Sequence, residues 1–194
     1  MIHLNHITLH RGDKALLANF ELQVAPGEAV QLSGPNGVGK SSLLRVCAGL
    51  SDDYEGEAIV PPKSDVLYIG HRYGLTETLS AVENLRYLLA LKDIHPAESE
   101  LVGALSEFKL GQAMFDRAST LSEGQRKRIA LSRLRFSREP LWLLDEAFSA
   151  LDQGGMQTLA EFCGRHVEAG GTLVFTSHQV TALTVPVRTI TLQD

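Results

Sequence analysis

Cysteine is scarce: the 194-residue chain has two, Cys47 and Cys163. Both stand inside apolar helical patterns without metal-ligand spacing, which argues against a disulfide framework and a thiolate metal centre and leaves buried, reduced thiols. Long apolar runs are missing too, none approaching the roughly 20 residues of a membrane helix. The N-terminal MIHLNHITLHRG alternates like a strand and lacks the basic start and apolar stretch of a signal peptide. A soluble, cytosolic chain is therefore expected, with no direct membrane span and any membrane attachment made through a protein partner. Positive charge is in deficit; the net charge of −5 argues against docking on nucleic acid or anionic lipid. Internal repeats, linkers and low-complexity stretches are absent. With 44% hydrophobic residues, the length suits one domain spanning 1–194 with its own core.

What is present is ordered. Ile2–Leu9 and Phe20–Val24 alternate apolar and polar and read as strands. Pro26-Gly27-Glu28 is a turn, and Ala29–Ser33 is a strand running into a glycine-rich loop. A helix is expected over Lys40–Leu50, then strands at Glu57–Val60 and Val66–Gly70. The middle is helical, a subdomain of about residues 79–138. Ser80 and Glu83 form a capping-box pattern opening a helix through Leu91. Pro96 suits the first turn of a helix reaching Lys109. Ser122 and Gln125 repeat the capping pattern. Strand–helix–strand order returns with Leu141–Leu144, Gln153–Ala169 and Thr172–Thr176, followed by a last strand at Val187–Leu192. Alternating strands and helices predict an α/β fold with a mainly parallel sheet.

Gly34-Pro35-Asn36-Gly37-Val38-Gly39-Lys40-Ser41 matches the phosphate-binding loop G-x-x-x-x-G-K-[ST]. Its glycines let backbone N–H groups curl into an anion nest, and the following helix adds its positive N-terminal end. Lys40 suits β- and γ-phosphate charge, Ser41 can offer a hydroxyl to Mg²⁺, and Ser42 continues the first turn. The ordinary alternative, a glycine-rich turn, does not require the strand before and the helix after. Leu141–Leu144 is an apolar strand ending in Asp145 and Glu146. Asp145 is placed to hold Mg²⁺ through water, and Glu146 to polarise the attacking water. Alone, two acids after a strand read as solvated loop; beside a phosphate loop they read as a catalytic pair. Arg126, Lys127, Arg128, Arg133, Arg135 and Arg138 form a basic stretch that reads as a solvated helix rather than a nucleic-acid surface.

Leu121-Ser122-Glu123-Gly124-Gln125 resembles the signature of the ABC ATPases, more often written with Gly at the third position. Ser149-Ala150-Leu151-Asp152 resembles their D-loop, and His178, after an apolar strand, their switch histidine. The resemblance covers nearly the whole chain. It implies a P-loop NTPase (RecA-like) core, an antiparallel β-subdomain and a helical subdomain, with ATP and Mg²⁺ as nucleotide and metal. It implies a homodimer in which Ser122, Gly124 and Gln125 meet the γ-phosphate bound by the other chain. It also implies that His178 contacts that phosphate and positions Glu146 and the water. Two positions depart from the pattern. His71 stands where a Gln usually senses Mg²⁺; imidazole is a poorer Mg²⁺ ligand than an amide oxygen, so contact through a metal-bound water is the alternative. Arg11, or His10 one residue earlier, stands where an aromatic usually stacks on adenine. Ala147 replaces the usual Pro after the acid pair.

Small size, Gly70-His71, Glu83-Asn84-Leu85 and an early end after the final strand resemble the ATP-binding subunits of the cytochrome c maturation system. That resemblance implies a peripheral protein on the cytoplasmic side of the bacterial inner membrane, bound to CcmB and CcmC with CcmD. Its ATP hydrolysis would serve haem delivery and release of the haem-loaded chaperone CcmE. The rivals are a generic exporter ATPase, a soluble cassette for DNA repair or translation, and a nucleotide kinase outside the ABC class.

Overall fold

A computed structural model describes residues 1–12, 14–177 and 183–193, with only the backbone of 11 and 14. The chain divides into two compact units. The first comprises Met1–Gly70, Arg138–Ala147 and Cys163–Asp194. The second comprises His71–Ser137 and Phe148–Phe162.

The first unit holds two sheets. In the antiparallel one, β1 (Ile2–Arg11) lies between β2 (Lys14–Val24) and β4 (Glu55–Ile59). The other is parallel, in the order β5 (Val66–Ile69), β6 (Leu141–Leu144), β7 (Thr172–Thr176), β3 (Ala29–Ser33), β8 (Val187–Thr191). Every residue of β6 and β7 is buried, as expected for short continuous apolar runs in the middle of a parallel sheet. Helix α1 (Lys40–Cys47) packs Leu43, Leu44 and Val46 into a core shared with Ile2, Leu4, Val30, Leu32 and Val174. Cys47 and Cys163 are free and buried, and burial raises the Cys47 thiol to about 12, so both stay neutral.

The second unit is helical, with α2 (Ala81–Ala90), α3 (Glu98–Glu107) and α4 (Glu123–Leu131) around Leu85, Leu101, Leu105 and Ile129. Phe108 stacks on Phe162 with ring centroids 5.4 Å apart. Helix α5 (Gln153–Glu168) runs from the second unit into the first. Among the described residues no helix is long and apolar enough to cross a membrane.

Helix α1 ends at Cys47 rather than Leu50, β4 runs Glu55–Ile59 rather than Glu57–Val60, and three further readings change. Strand β2 begins at Lys14, not Phe20. KALLAN hides it because irregular pairing breaks the alternation: His6 and Asn19 both adopt left-handed φ, of 51° and 52°, beside shifts in the β1–β2 register. Pro96 precedes the cap of α3 rather than entering its first turn; Ala97 is the cap, and its N–H donates to Glu100. The basic stretch is not simply solvated, since Lys127 is buried.

Candidate active site

The C-terminal ends of β6, β7 and β3 lie side by side because these strands are parallel neighbours. In open α/β sheets this edge is where ligands bind. The phosphate loop leaves β3 here. Gly34 has φ +137°, and a Cβ on it would stand 2.6 Å from the Leu192 carbonyl oxygen, so no other residue fits without displacing backbone. Gly39, the cap of α1, has φ +106°, a left-handed turn that aims the next amides into the loop. Val38 is buried and anchors the loop, while Pro35, Asn36 and Gly37 face solvent. Ser41 and Ser42 are half-buried in the first turn of α1, where a helix has no acceptor for its own N–H groups. The Lys40 ammonium donates to the carbonyls of Gly34 (2.7 Å) and Pro35 (2.9 Å) and so lies across the loop. Curled amides, a helix N-terminus and an ammonium over one cradle fit a polyphosphate chelated to Mg²⁺.

Asp145 and Glu146 follow β6. Asp145 is buried, with its N–H bonded to the Ile69 carbonyl at 2.8 Å. The buried Thr176 hydroxyl donates to Asp145 Oδ1 at 2.8 Å and accepts the Glu146 N–H at 2.7 Å. Glu146 has φ 51°, a left-handed conformation that costs a non-glycine residue about 1–2 kcal/mol. Tyr68 on β5 stands near; burial, with the Asp145 charge second, raises its phenol to about 12. A Cβ on Gly70 would strike the Tyr68 hydroxyl, so this glycine leaves room for that ring.

The second unit holds Ser122, Gly124 and Gln125 at the start of α4. Ser122 Oγ accepts the Gln125 N–H (3.3 Å), and Gln125 Oε1 accepts the Ser122 N–H (2.8 Å), closing a capping box. Lys127 donates to both the carbonyl (2.8 Å) and hydroxyl (2.7 Å) of Ser149. Arg128 pairs with Asp152 at 2.7 Å, and Asp152 caps α5 through the Gly155 N–H. That N–H first, and Arg128 second, hold the Asp152 carboxyl below its usual range. Helix α4 is thereby tied to the Ser149–Asp152 loop. Lys127→Met is expected to cost about 2 kcal/mol, the scale of a hydrogen-bonded buried charge, and to lower the melting midpoint by about 4–8 °C. A calorimetric midpoint within 1 °C of wild type, on a roughly 2–4 °C per kcal/mol scale, would refute that.

Of the other residues, His71 is exposed at the start of the second unit. Arg11 ends β1 opposite Lys14, and its side chain lies outside the described residues, as does His178. Sequence reasoning missed Thr176, Lys127 and Asn84. Asn84 is fully buried and ties the 76–80 segment to α2 by accepting the Thr76 N–H and donating to the Thr76, Leu79 and Ser80 carbonyls. The one available signal was the Thr176 hydroxyl at the end of an apolar run; Lys127 stands between Arg126 and Arg128 and Asn84 beside Glu83, so neither stood out.

The fold is that of the P-loop ATP-binding cassettes, and a family model described as ABC transporter matches residues 17–149. A putative ABC transporter ATP-binding protein from Pyrococcus furiosus superposes with TM-score 0.82 at 19% identity, over 98% of this chain and 96% of that one. A dimeric bacterial ABC transporter cassette superposes with TM-score 0.79 at 25% identity, over 92% and 88%. Curated relatives named cytochrome c biogenesis ATP-binding export protein CcmA align along most of the chain. The one from Saccharophagus degradans is 38% identical over 91% of this chain and 86% of its own. The one from Vibrio vulnificus is 34% identical over 92% of both. The chain belongs to the ABC transporter ATP-binding family and, within it, to the CcmA family. ATP binding and hydrolysis are the activity of that class.

Proposed function

We propose that this protein is the ATP-hydrolysing subunit of a membrane ABC complex for cytochrome c maturation. In that complex its ATP cycle is coupled to haem delivery and to release of the haem-loaded CcmE chaperone. The carrying observation is the phosphate loop after β3 and the acid pair after β6, at the same edge of the sheet with only β7 between them, in a chain whose relatives bear the CcmA name. The 1–194 chain acts as one cassette, with a helical subdomain of about residues 79–138.

In this reading the Gly34–Ser42 loop binds the phosphates. Lys40 leaves its two carbonyls to meet the β- and γ-phosphates. Ser41 and Asp145 would hold Mg²⁺, which would supply charge neutralisation to the phosphates. Glu146 takes up the developing proton of the attacking water while the bond to the leaving phosphate oxygen breaks. His178 steadies that water and the γ-phosphate, His71 senses the metal, and Arg11 meets the adenine. Ser122, Gly124 and Gln125 face the nucleotide of a partner copy, so two protomers complete each site.

The protein sits peripherally on the cytoplasmic side of the inner membrane, against CcmB and CcmC with CcmD. The contact is the surface of the 71–78 segment and α2. Arg86 there pairs with Glu98 at 2.8 Å, so Arg72 is the cleaner position for charge reversal. A strain lacking the protein should lose holo-cytochrome c, regain it with wild type and not with Lys40→Ala. Normal holo-cytochrome c in the deletion strain would overturn this assignment and leave a generic exporter ATPase.

A further inference from the structure

Thr176 is fully buried at the end of β7, the strand beside β6. A hydroxyl there, in the run TLVFTS, meets two groups of the acid pair at once: Asp145 Oδ1 at 2.8 Å and the Glu146 N–H at 2.7 Å. A hydroxyl has one proton to donate and lone pairs to accept, so the two bonds are compatible and each fixes the other's direction. Donation to Oδ1 selects one rotamer of the Asp145 side chain. Acceptance from the Glu146 N–H holds the peptide joining the two acids, next to a residue at φ 51°. Backbone in that region persists only where its surroundings hold it. The Glu146 N–H finds its acceptor on β7, the strand paired with β6, which it follows.

We infer that Thr176 is a positioning residue for nucleotide hydrolysis, setting the Asp145 carboxylate for the metal and the Glu146 backbone for the water. The inference rests on the reading of Asp145 and Glu146 given above. Ligand-orienting hydrogen bonds of this kind are worth about 10- to 100-fold in metal affinity or activity. Valine has the shape of threonine without the hydroxyl, whereas serine keeps the hydroxyl.

The test uses the full chain and four variants: Thr176→Val, Thr176→Ser, Thr176→Cys and Asp145→Asn. Calorimetric titration of ATP at graded Mg²⁺ gives the metal requirement of binding, and steady-state assays give kcat and KM separately. Thr176→Val should need about tenfold more Mg²⁺ and lose about 10- to 100-fold in kcat, with Thr176→Ser within about threefold of wild type. Thr176→Cys, which keeps volume with weaker hydrogen bonding, should fall between them and carries the test if Thr176→Val does not fold. A Thr176→Val or Thr176→Cys protein with wild-type Mg²⁺ requirement and kcat, where Asp145→Asn shifts both, overturns the inference alone. An unchanged requirement in Asp145→Asn as well overturns the metal-side reading of Asp145 and the inference with it. Loss in Thr176→Ser equal to that in Thr176→Val would assign the effect to packing and overturn the inference.

Discussion

Glu146→Gln protein is expected to bind ATP normally and hydrolyse it at least about a hundredfold more slowly, the lower end of what a positioned general base contributes. The substitution is nearly isosteric. The features that place the side chain belong to the backbone: the left-handed φ of 51° and the N–H bond to Thr176 are available to glutamine as to glutamate. Only the basic carboxylate is lost, so the defect should fall on kcat and leave KM close to wild type. A stalled nucleotide should also hold two protomers together, seen as ATP-dependent dimer on size-exclusion chromatography. Wild-type turnover by Glu146→Gln would remove this residue as the base.

Lys40→Ala should fail earlier, at binding. The ammonium is buried within the loop, held by the Gly34 and Pro35 carbonyls, and needs only to turn from them towards the phosphates. Removing one partner of a buried, hydrogen-bonded charge pair costs about 2–5 kcal/mol, or roughly 30- to several-thousand-fold in affinity. The nucleotide dissociation constant should therefore rise by at least about 30-fold, with circular dichroism unchanged. ATP bound with wild-type affinity would show that the loop amides alone carry the phosphates. The two variants separate the steps, since one keeps the nucleotide without cleaving it and the other does not retain it.

The phosphate loop, the acid pair and the two capping boxes stood out in the sequence for one reason: each is a short contiguous string of characteristic residue types. Gly39 must be glycine, or nearly so, because of its own φ, and Ser122 finds Gln125 three residues away. Thr176 and Lys127 were not legible, because their partners are brought near by strand order and by helix packing. Thr176 meets Asp145 across 31 residues and Lys127 meets Ser149 across 22. A buried lysine also reads as surface in any composition-based view, since the cost of burial is offset by acceptors that only the fold supplies. Strand β2 was half hidden for a related reason: irregular pairing at His6 and Asn19 shifts which side chains face inward.

Helix α4 opens with Glu123 and Gly124, where the signature that this string resembles is more often written with two glycines. These neighbours are under opposite constraints. Glu123 is exposed, and its carboxylate accepts the Tyr73 hydroxyl at 2.7 Å. In the first turn of a helix a negative side chain is favourable. At Gly124 a single added carbon would stand 2.8 Å from the Ala150 carbonyl oxygen. Mutational drift can therefore respell the third letter of the motif at little expense, while the fourth is fixed by contact with a loop 26 positions further along the chain. A cassette recognised by two consecutive glycines would be missed here; one recognised by the room left for the Ala150 carbonyl would not.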